Sequence, residues 1–104
     1  MKQIPKILVI TPVRHINGIA EILDSIGRVT YLDDPLPHEV AQIINGYDAL
    51  FTNPNKSKVY VGQDLLKKAI KLKVVCTAST GTNHIDKAFL ASTNIKLISL
   101  TKEI

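Results

Sequence analysis

Residues 73–100, KVVCTASTGTNHIDKAFLASTNIKLISL, decide the fold of this 104-residue chain. The stretch divides into a strand at 73–78, a loop at 79–82, a helix from the cap residue Asn83 to about Thr93, and a strand at 95–100. Asp86 occupies the third position of that helix, as in a capping box with Asp in place of Glu. Two short apolar strands joined through a helix are typical of a β-α-β unit in a parallel sheet.

The same alternation starts at the beginning of the chain. Residues 6–11 form a nearly continuous apolar run, which is typical of a strand covered on both faces. Asn17 follows as a candidate helix cap, and Gly27 as the residue that stops this first helix. Its predicted apolar stripe consists of Ile19, Ile22, Leu23 and Ile26.

The middle of the chain supplies two further strands and two further helices. The strands are predicted at 28–32 and 47–52, and a helix at 37–44 has Pro37 at its first position. A polar loop at 53–58 leads to a helix at 62–72. Leu65, Leu66, Ala69 and Ile70 form the predicted apolar side of that helix, and Lys67, Lys68 and Lys71 its solvent side.

Five strands alternating with four helices predict an α/β fold. The expected architecture is a flavodoxin-like, doubly wound, five-stranded parallel sheet of order 2-1-3-4-5, with helices on both faces. The whole chain, residues 1–104, is expected to form a single domain. In such sheets ligands bind beyond the carboxyl ends of the strands, which selects the loops at 53–58 and 79–83.

Composition places the chain among globular proteins of a reducing compartment. Hydrophobic residues make up 45% and charged residues 21%, which excludes a wholly disordered chain. No apolar run approaches the ~18–20 residues that cross a bilayer, so no membrane association is expected. The single cysteine, Cys76, has no partner for an intrachain disulfide, and a cytoplasmic location is therefore expected.

The net charge of +4 is unevenly distributed. Residues 1–55 carry four basic and six acidic groups, whereas residues 56–104 carry nine basic and three acidic groups. A solvated lysine face, a site for a small anion and a nucleic-acid surface all fit such a cluster. No RNA-binding motif accompanies the lysines, so we expect no nucleic-acid partner.

Several kinds of catalytic and cofactor site are absent from the sequence. No GxGxxG follows the first strand and no GxxxxGK[ST] occurs, so neither dinucleotide nor P-loop nucleotide binding is expected. His15, His38 and His84 have no ligand spacing typical of a metal site. Cys76 lies in an apolar strand and is expected to be a buried hydrophobic residue. The chain itself is predicted to hold no catalytic residue, no cofactor and no metal.

Two loops carry the positive signals. Gly81 and Asn83 precede a helix, whose first N–H groups favour a carboxylate or phosphate, although both residues also suit a simple turn and cap. Lys56, Ser57 and Lys58 supply two ammonium groups and a hydroxyl on the neighbouring loop, which is equally compatible with a solvated turn. The predicted adjacency of the loops favours capture of an anion.

At these residues the chain resembles the N-terminal, substrate-binding domain of D-isomer-specific 2-hydroxyacid dehydrogenases, in particular phosphoglycerate dehydrogenase. The family commonly has a Gly-x-Asx-x-[IV]-Asp turn, which Gly81-Thr82-Asn83-His84-Ile85-Asp86 fits at each fixed position. Tyr47-Asp48-Ala49-Leu50 and the later Lys56-Ser57-Lys58 resemble the family's third strand and its basic-Ser-basic substrate loop. Arginine usually occupies at least one of those basic positions, where this chain has lysine.

The resemblance implies a role for each matching residue. Backbone N–H groups around Thr80 and Gly81 would hold the carboxylate of a small anionic 2-hydroxy or 2-keto acid. Lys56 and Ser57 would approach that carboxylate or a distal phosphate, and Asn83 would orient the turn or contact the ligand. The family's NAD-binding Rossmann domain supplies its catalytic Arg, Glu and His. This chain is thus expected to be a fragment, inactive alone, of an NAD-dependent parent.

Two alternatives stay open at this stage. The chain could be a stand-alone flavodoxin-like binding or interaction module without catalysis, or a fragment engineered for folding studies. Apolar surface left uncovered by a missing domain also predicts self-association into a homo-oligomer.

Overall fold

The computed structural model describes residues 4–11, 18–32, 35–53, 59–77 and 85–99. In chain order the elements are β1 (Lys6–Val9), α1 (Ile19–Ile26), β2 (Arg28–Tyr31), α2 (Pro37–Ile43), a 3₁₀ turn (Ile44–Gly46), β3 (Ala49–Thr52), α3 (Gln63–Leu66), β4 (Val74–Thr77), α4 (Lys87–Ala91) and β5 (Lys96–Ser99).

The five strands form one parallel sheet in the order β2-β1-β3-β4-β5. In its central register Leu8 lies between Thr30 and Leu50, and Leu50 lies beside Val75. Strand order and direction confirm the doubly wound prediction. Because all strands are parallel, their carboxyl ends lie along one edge of the sheet and their amino ends along the opposite edge.

Alternate strand residues pack against helices on the two faces of the sheet. Leu8, Leu50 and Val75 belong to one core cluster, which also contains residues of α2, α3 and α4. Ile7, Val9 and Phe51 point to the other face and pack with Leu23 of α1. The strands are therefore apolar on both sides, as a covered parallel sheet requires.

Helix α1 departs from its prediction at its start and on its surface. Gly18, with a φ of 87°, is the N-cap, and its carbonyl accepts the Ile22 N–H at 3.0 Å. The predicted cap at Asn17 is thus one residue too early; Asn17 itself lies outside the described residues. Ile22 and Ile26 are exposed rather than packed on the sheet, while Gly27 ends the helix as predicted.

Helix α3 is shorter than the predicted 62–72. After Leu66 the chain continues in tighter turns, in which the Lys68 N–H donates to Leu65 and the Ala69 N–H to Leu66. Three-residue spacing rotates successive side chains differently from an α-helix. Ile70, predicted on the apolar side, is consequently exposed, whereas Leu65, Leu66 and Ala69 are buried as predicted.

Helix α4 begins later than predicted. Asp86, not Asn83, is its N-cap, because the Asp86 carboxylate accepts the Phe89 N–H at 3.0 Å. The residue before it, Ile85, is held in an isolated β-bridge and so cannot belong to the helix. Among the described residues, no helix combines the length and the apolar character that crossing a membrane requires.

Candidate functional site

Three buried threonines lie at the carboxyl edge of the sheet. Thr52 and Thr77 are the last residues of β3 and β4, and Thr11 follows β1 by two residues. All three are buried, and within the described part of the chain their hydroxyl groups have no hydrogen-bond partner. Buried polar groups are normally paired, so this edge holds unused hydrogen-bonding capacity.

Two of the threonines are direct neighbours. Thr52 and Thr77 are register partners on adjacent parallel strands, which lie ~4.8 Å apart. Because they alternate with Leu50 and Val75, they share the face covered by α2, α3 and α4. Thr11 alternates with Val9 and so belongs to the opposite face. The pair Thr52 and Thr77 marks the points where the chain leaves β3 and β4.

The segments that follow β3 and β4 meet again farther along the chain. Val61 and Ile85 form an isolated parallel bridge, and the Asp86 N–H donates to the Val61 carbonyl at 2.9 Å. Residues 54–58 and 78–84 are thus flanked on both sides by paired residues, Thr52 with Thr77 before them and Val61 with Ile85 after them. The framework brings the ends of the two segments together.

The predicted ligand-binding residues fall within those segments. Lys56, Ser57, Thr80, Gly81 and Asn83 all lie outside the described residues, so their assignments stay predictions. What the structure supplies is the framework on either side of them. Thr52, Thr77, Val61 and Asp86 were not predicted as part of a site. Threonine at the end of each apolar strand is the sequence signal that could have indicated the first two.

A groove of about 630 Å³ lies beside this framework. Its lining comes from α2, from residues 59–62, from α3 and the turn after it, and from Asp86: Pro37, His38, Ala41, Val59, Tyr60, Gly62, Gln63, Asp64, Leu65, Lys68 and Asp86. The exposed Tyr60 ring packs so closely over Gly62 that a Cβ there would lie 2.4 Å from it. The absence of a side chain at Gly62 therefore leaves room for this ring position.

In the described ranges, no three His, Cys, Asp or Glu side chains come together as metal ligands. Burial raises the pKa of the Cys76 thiol, which keeps it protonated at neutral pH. Cys76 is half-buried and packs in the α1-side cluster, consistent with its predicted hydrophobic role.

Comparison with a family model identifies the type of domain. Residues 7–102 match the model described as D-isomer specific 2-hydroxyacid dehydrogenase, catalytic domain. A relative, erythronate-4-phosphate dehydrogenase from Legionella pneumophila (strain Lens), is 40% identical over 60 residues, which are 58% of this chain and 16% of the relative. The matched residues thus span less than a fifth of that protein.

Solved structures share the fold at low sequence identity. A protein from Pyrococcus horikoshii OT3 superposes with a TM-score of 0.81 at 22% identity, covering 95% of this chain and 28% of its own. D-lactate dehydrogenase from Aquifex aeolicus, complexed with NAD and lactic acid, gives 0.69 at 18% identity, covering 90% and 27%. A glyoxylate reductase from Paecilomyes thermophila gives 0.77 at 16% identity, covering 94% and 32%.

Proposed function

Because this chain belongs to the D-isomer specific 2-hydroxyacid dehydrogenase family and matches its catalytic-domain model, we propose that it binds the substrate of an NAD-dependent dehydrogenase. The proposed substrate is a small D-2-hydroxy acid, or the 2-keto acid formed from it, that also carries a phosphate group. The chain, residues 1–104, acts as the substrate-binding domain of a longer protein. The solved structures that share its fold are about three times its length.

The paired framework at the carboxyl edge is the observation that supports this proposal. Thr52 beside Thr77 and Val61 beside Ile85 bring together the ends of the two segments that contain the proposed ligands. A molecule only a few carbon atoms long could then contact both segments at once. Neither segment alone would have the same effect, because orienting a substrate requires contacts from more than one side.

Each proposed ligand has a chemical reason. Backbone N–H groups at Thr80 and Gly81 donate to the substrate carboxylate, and Asn83 orients that turn. Lys56 and Ser57 donate to the phosphate, for which a lysine ammonium supplies charge without the fixed two-pronged geometry of arginine. A hydrogen bond to a charged group contributes ~1.5–3 kcal/mol, so losing the lysine should weaken binding measurably.

The phosphate is part of the proposal for two reasons. The resemblance to phosphoglycerate dehydrogenase favours D-3-phosphoglycerate, and the Legionella relative is named for another phosphorylated 2-hydroxy acid. Both compounds place a carboxylate and a phosphate at opposite ends of a short chain. The two segments, one with lysines and one with a glycine turn, suit those two ends.

The oxidation itself is assigned to residues beyond this chain. The chain has no GxGxxG fingerprint, so its residues do not fit a dinucleotide and we place the NAD site in another domain of the longer protein. No catalytic residue is proposed here. The chain's contribution is to bind the acid and fix its orientation, which lowers the entropic part of the barrier. The cytoplasm, with its reducing conditions, is the proposed location.

Calorimetric titration of the 104-residue chain with D-3-phosphoglycerate tests the proposal. We expect binding that weakens by about 10-fold or more in Lys56→Gln, since one charged hydrogen bond is lost. Lys71→Gln removes the same charge from an exposed position at the amino edge of the sheet, away from the segments, and this variant should bind normally. D-glycerate, which has no phosphate, should bind the unaltered chain more weakly than D-3-phosphoglycerate does. Its affinity should be the same for Lys56→Gln and for Lys71→Gln.

Three results would contradict the proposal. Equal weakening in Lys56→Gln and Lys71→Gln would show general charge attraction rather than a site. A folded chain that binds neither acid would favour the stand-alone module without catalysis. NADH formation by the 104-residue chain with D-3-phosphoglycerate and NAD would show that the catalytic groups lie within it.

A further inference from the structure

We propose that the amino edge of the sheet and helix α1 together form a self-association surface, on which a second copy of this chain docks. In the proposed pair, α1 of each copy lies over a basic groove of the other. This inference does not depend on the proposed function, because its groove and α1 residues are different from the residues assigned to the candidate site.

The groove has a volume of about 910 Å³ and lies at the amino ends of the strands. Four basic residues line it, Lys6, Arg28, Lys71 and Lys73, and the acidic residue among the lining residues is Asp48. One oxygen of the Asp48 carboxylate already accepts the Lys6 backbone N–H at 2.9 Å. The groove therefore has an excess of positive charge, which favours a partner that carries acidic groups.

Two of the most exposed apolar side chains border the same groove. Ile4 is 57% exposed and Ile70 is 78% exposed. Ile70 points outward because the chain changes from α-helix to tighter turns after Leu66. Large aliphatic side chains clustered on a surface favour a protein partner over a small anion. The occupant of this groove should accordingly combine carboxylates with aliphatic groups.

Helix α1 of this chain has that combination. Ile22 is 60% exposed and Ile26 is 55% exposed, and they lie one turn apart on the helix. Glu21 and Asp24 are exposed on the same helix, which contains no basic residue. Asp24 keeps acceptor capacity although one of its oxygens accepts the Tyr31 hydroxyl at 2.9 Å.

The two complementary surfaces lie beside each other within one molecule. α1 ends at Gly27, and the next residue, Arg28, belongs to the groove and donates its N–H to the Pro5 carbonyl at 2.9 Å. An acidic surface next to a basic one is self-complementary under a two-fold axis, because each copy then supplies both halves of the contact. Symmetry gives this pair two identical α1–groove contacts.

A pair of standard size would cover only a modest part of the surface of this chain. A standard interface buries ~800 Å² on each partner, and this chain has 6673 Å² of accessible surface, so about an eighth of it would be covered. Exposed charges contribute strongly to such an interface only at low ionic strength, so association should weaken as salt is added.

Sedimentation equilibrium of two charge-reversed variants tests the pair. Variant one is Lys71→Glu with Lys73→Glu, which makes the groove acidic, and variant two is Glu21→Lys with Asp24→Lys, which makes α1 basic. Each alone should dimerise at least about 10-fold more weakly than the unaltered chain, because like charges then face each other. A mixture of the two should recover dimers, since every contact in the mixed pair joins opposite charges.

The control is Lys68→Glu with Lys87→Glu, which changes net charge as variant one does but at residues outside this groove. It should dimerise like the unaltered chain, and circular dichroism of every variant should show native helix content. Ile70→Ser, which alters no charge, should also weaken dimerisation. A monomeric unaltered chain, a mixture that fails to recover dimers, or a control as weak as variant one would each overturn the proposal.

Discussion

Replacing Thr52 or Thr77 by valine should stabilise this protein. Both hydroxyls are buried and, within the described ranges, lack a hydrogen-bond partner, so the folded state loses their hydration without compensation. Such an unpaired group costs ~1–3 kcal/mol, and valine removes it while keeping the branched shape of the side chain. For a domain of this size ~1 kcal/mol corresponds to a Tm increase of ~4–8 °C.

Thermal and urea unfolding of each variant measure this effect, and Thr30→Val is the matched control. Thr30 also lies in a strand, but its hydroxyl accepts the Tyr47 hydroxyl at 2.8 Å. Valine at position 30 leaves the part-buried Tyr47 hydroxyl without this partner, and should destabilise by ~1 kcal/mol. The same substitution should therefore have opposite signs at position 30 and at positions 52 and 77.

Destabilisation by Thr52→Val as large as that by Thr30→Val would refute the reasoning, because it would show that the Thr52 hydroxyl is paired in solution. The double variant adds a second test. Thr52 and Thr77 are register partners, so one buried water could bridge them. In that case the first substitution should produce most of the change in the free energy of unfolding, and the second should add little. Independent unpaired hydroxyls would instead give additive gains.

Three further residues, Gly27, Asp86 and Cys76, give separate tests of the structure. Gly27→Ala should destabilise by ~1–3 kcal/mol in urea unfolding, because its Cβ would lie 2.5 Å from the Pro5 carbonyl oxygen. Asp86→Ala should lower the free energy of unfolding by ~1 kcal/mol through loss of the α4 cap. Asp86→Asn should keep most of that stability, because asparagine also caps helices. Cys76, whose pKa is raised by burial, should alkylate more slowly in the folded than in the unfolded chain and faster as pH rises, as followed by mass spectrometry.

The strands and their order were predictable because a covered parallel strand is apolar on both faces. The runs at 6–11 and 73–78 contain β1 and β4, and the alternation with helices permits few topologies. Each predicted strand is longer than the observed one by one or two residues. Apolar character therefore indicates where a strand lies more reliably than where its hydrogen bonding ends.

The helix surfaces were less predictable, and the errors have a physical cause. Apolar periodicity at Ile22, Ile26 and Ile70 predicted buried positions, yet all three are exposed. Periodicity identifies an apolar stripe but not the width of surface available to cover it. For Ile70 the local geometry matters as well, because the change to tighter turns after Leu66 alters the direction of the side chain.

For the site, the sequence indicated which loops to consider but not the framework between them. The bridge of Val61 to Ile85 joins residues 24 positions apart, and no local pattern indicates such a pairing. Capping-box spacing to Asp86 predicts Asn83 as the α4 cap. The bridge at Ile85 instead delays the helix until Asp86, which shows how a long-range contact overrides a local signal.

The two edges of the sheet depart from ordinary patterning in opposite ways, and this bears on how they work together. At the carboxyl edge, polar hydroxyls of Thr11, Thr52 and Thr77 are buried, and at the amino edge, Ile4 and Ile70 are exposed. The buried hydroxyls without a described partner cost stability, and the exposed isoleucines leave apolar surface in water. Departures of this kind from local patterning are expected mainly at functional sites. From Lys6 to Thr11 the strand rises ~16 Å, beyond the Debye length of ~8–10 Å. Because charge at the amino edge is screened from the carboxyl edge, the groove variant Lys71→Glu with Lys73→Glu should bind substrate unchanged, and substrate should leave dimerisation unchanged.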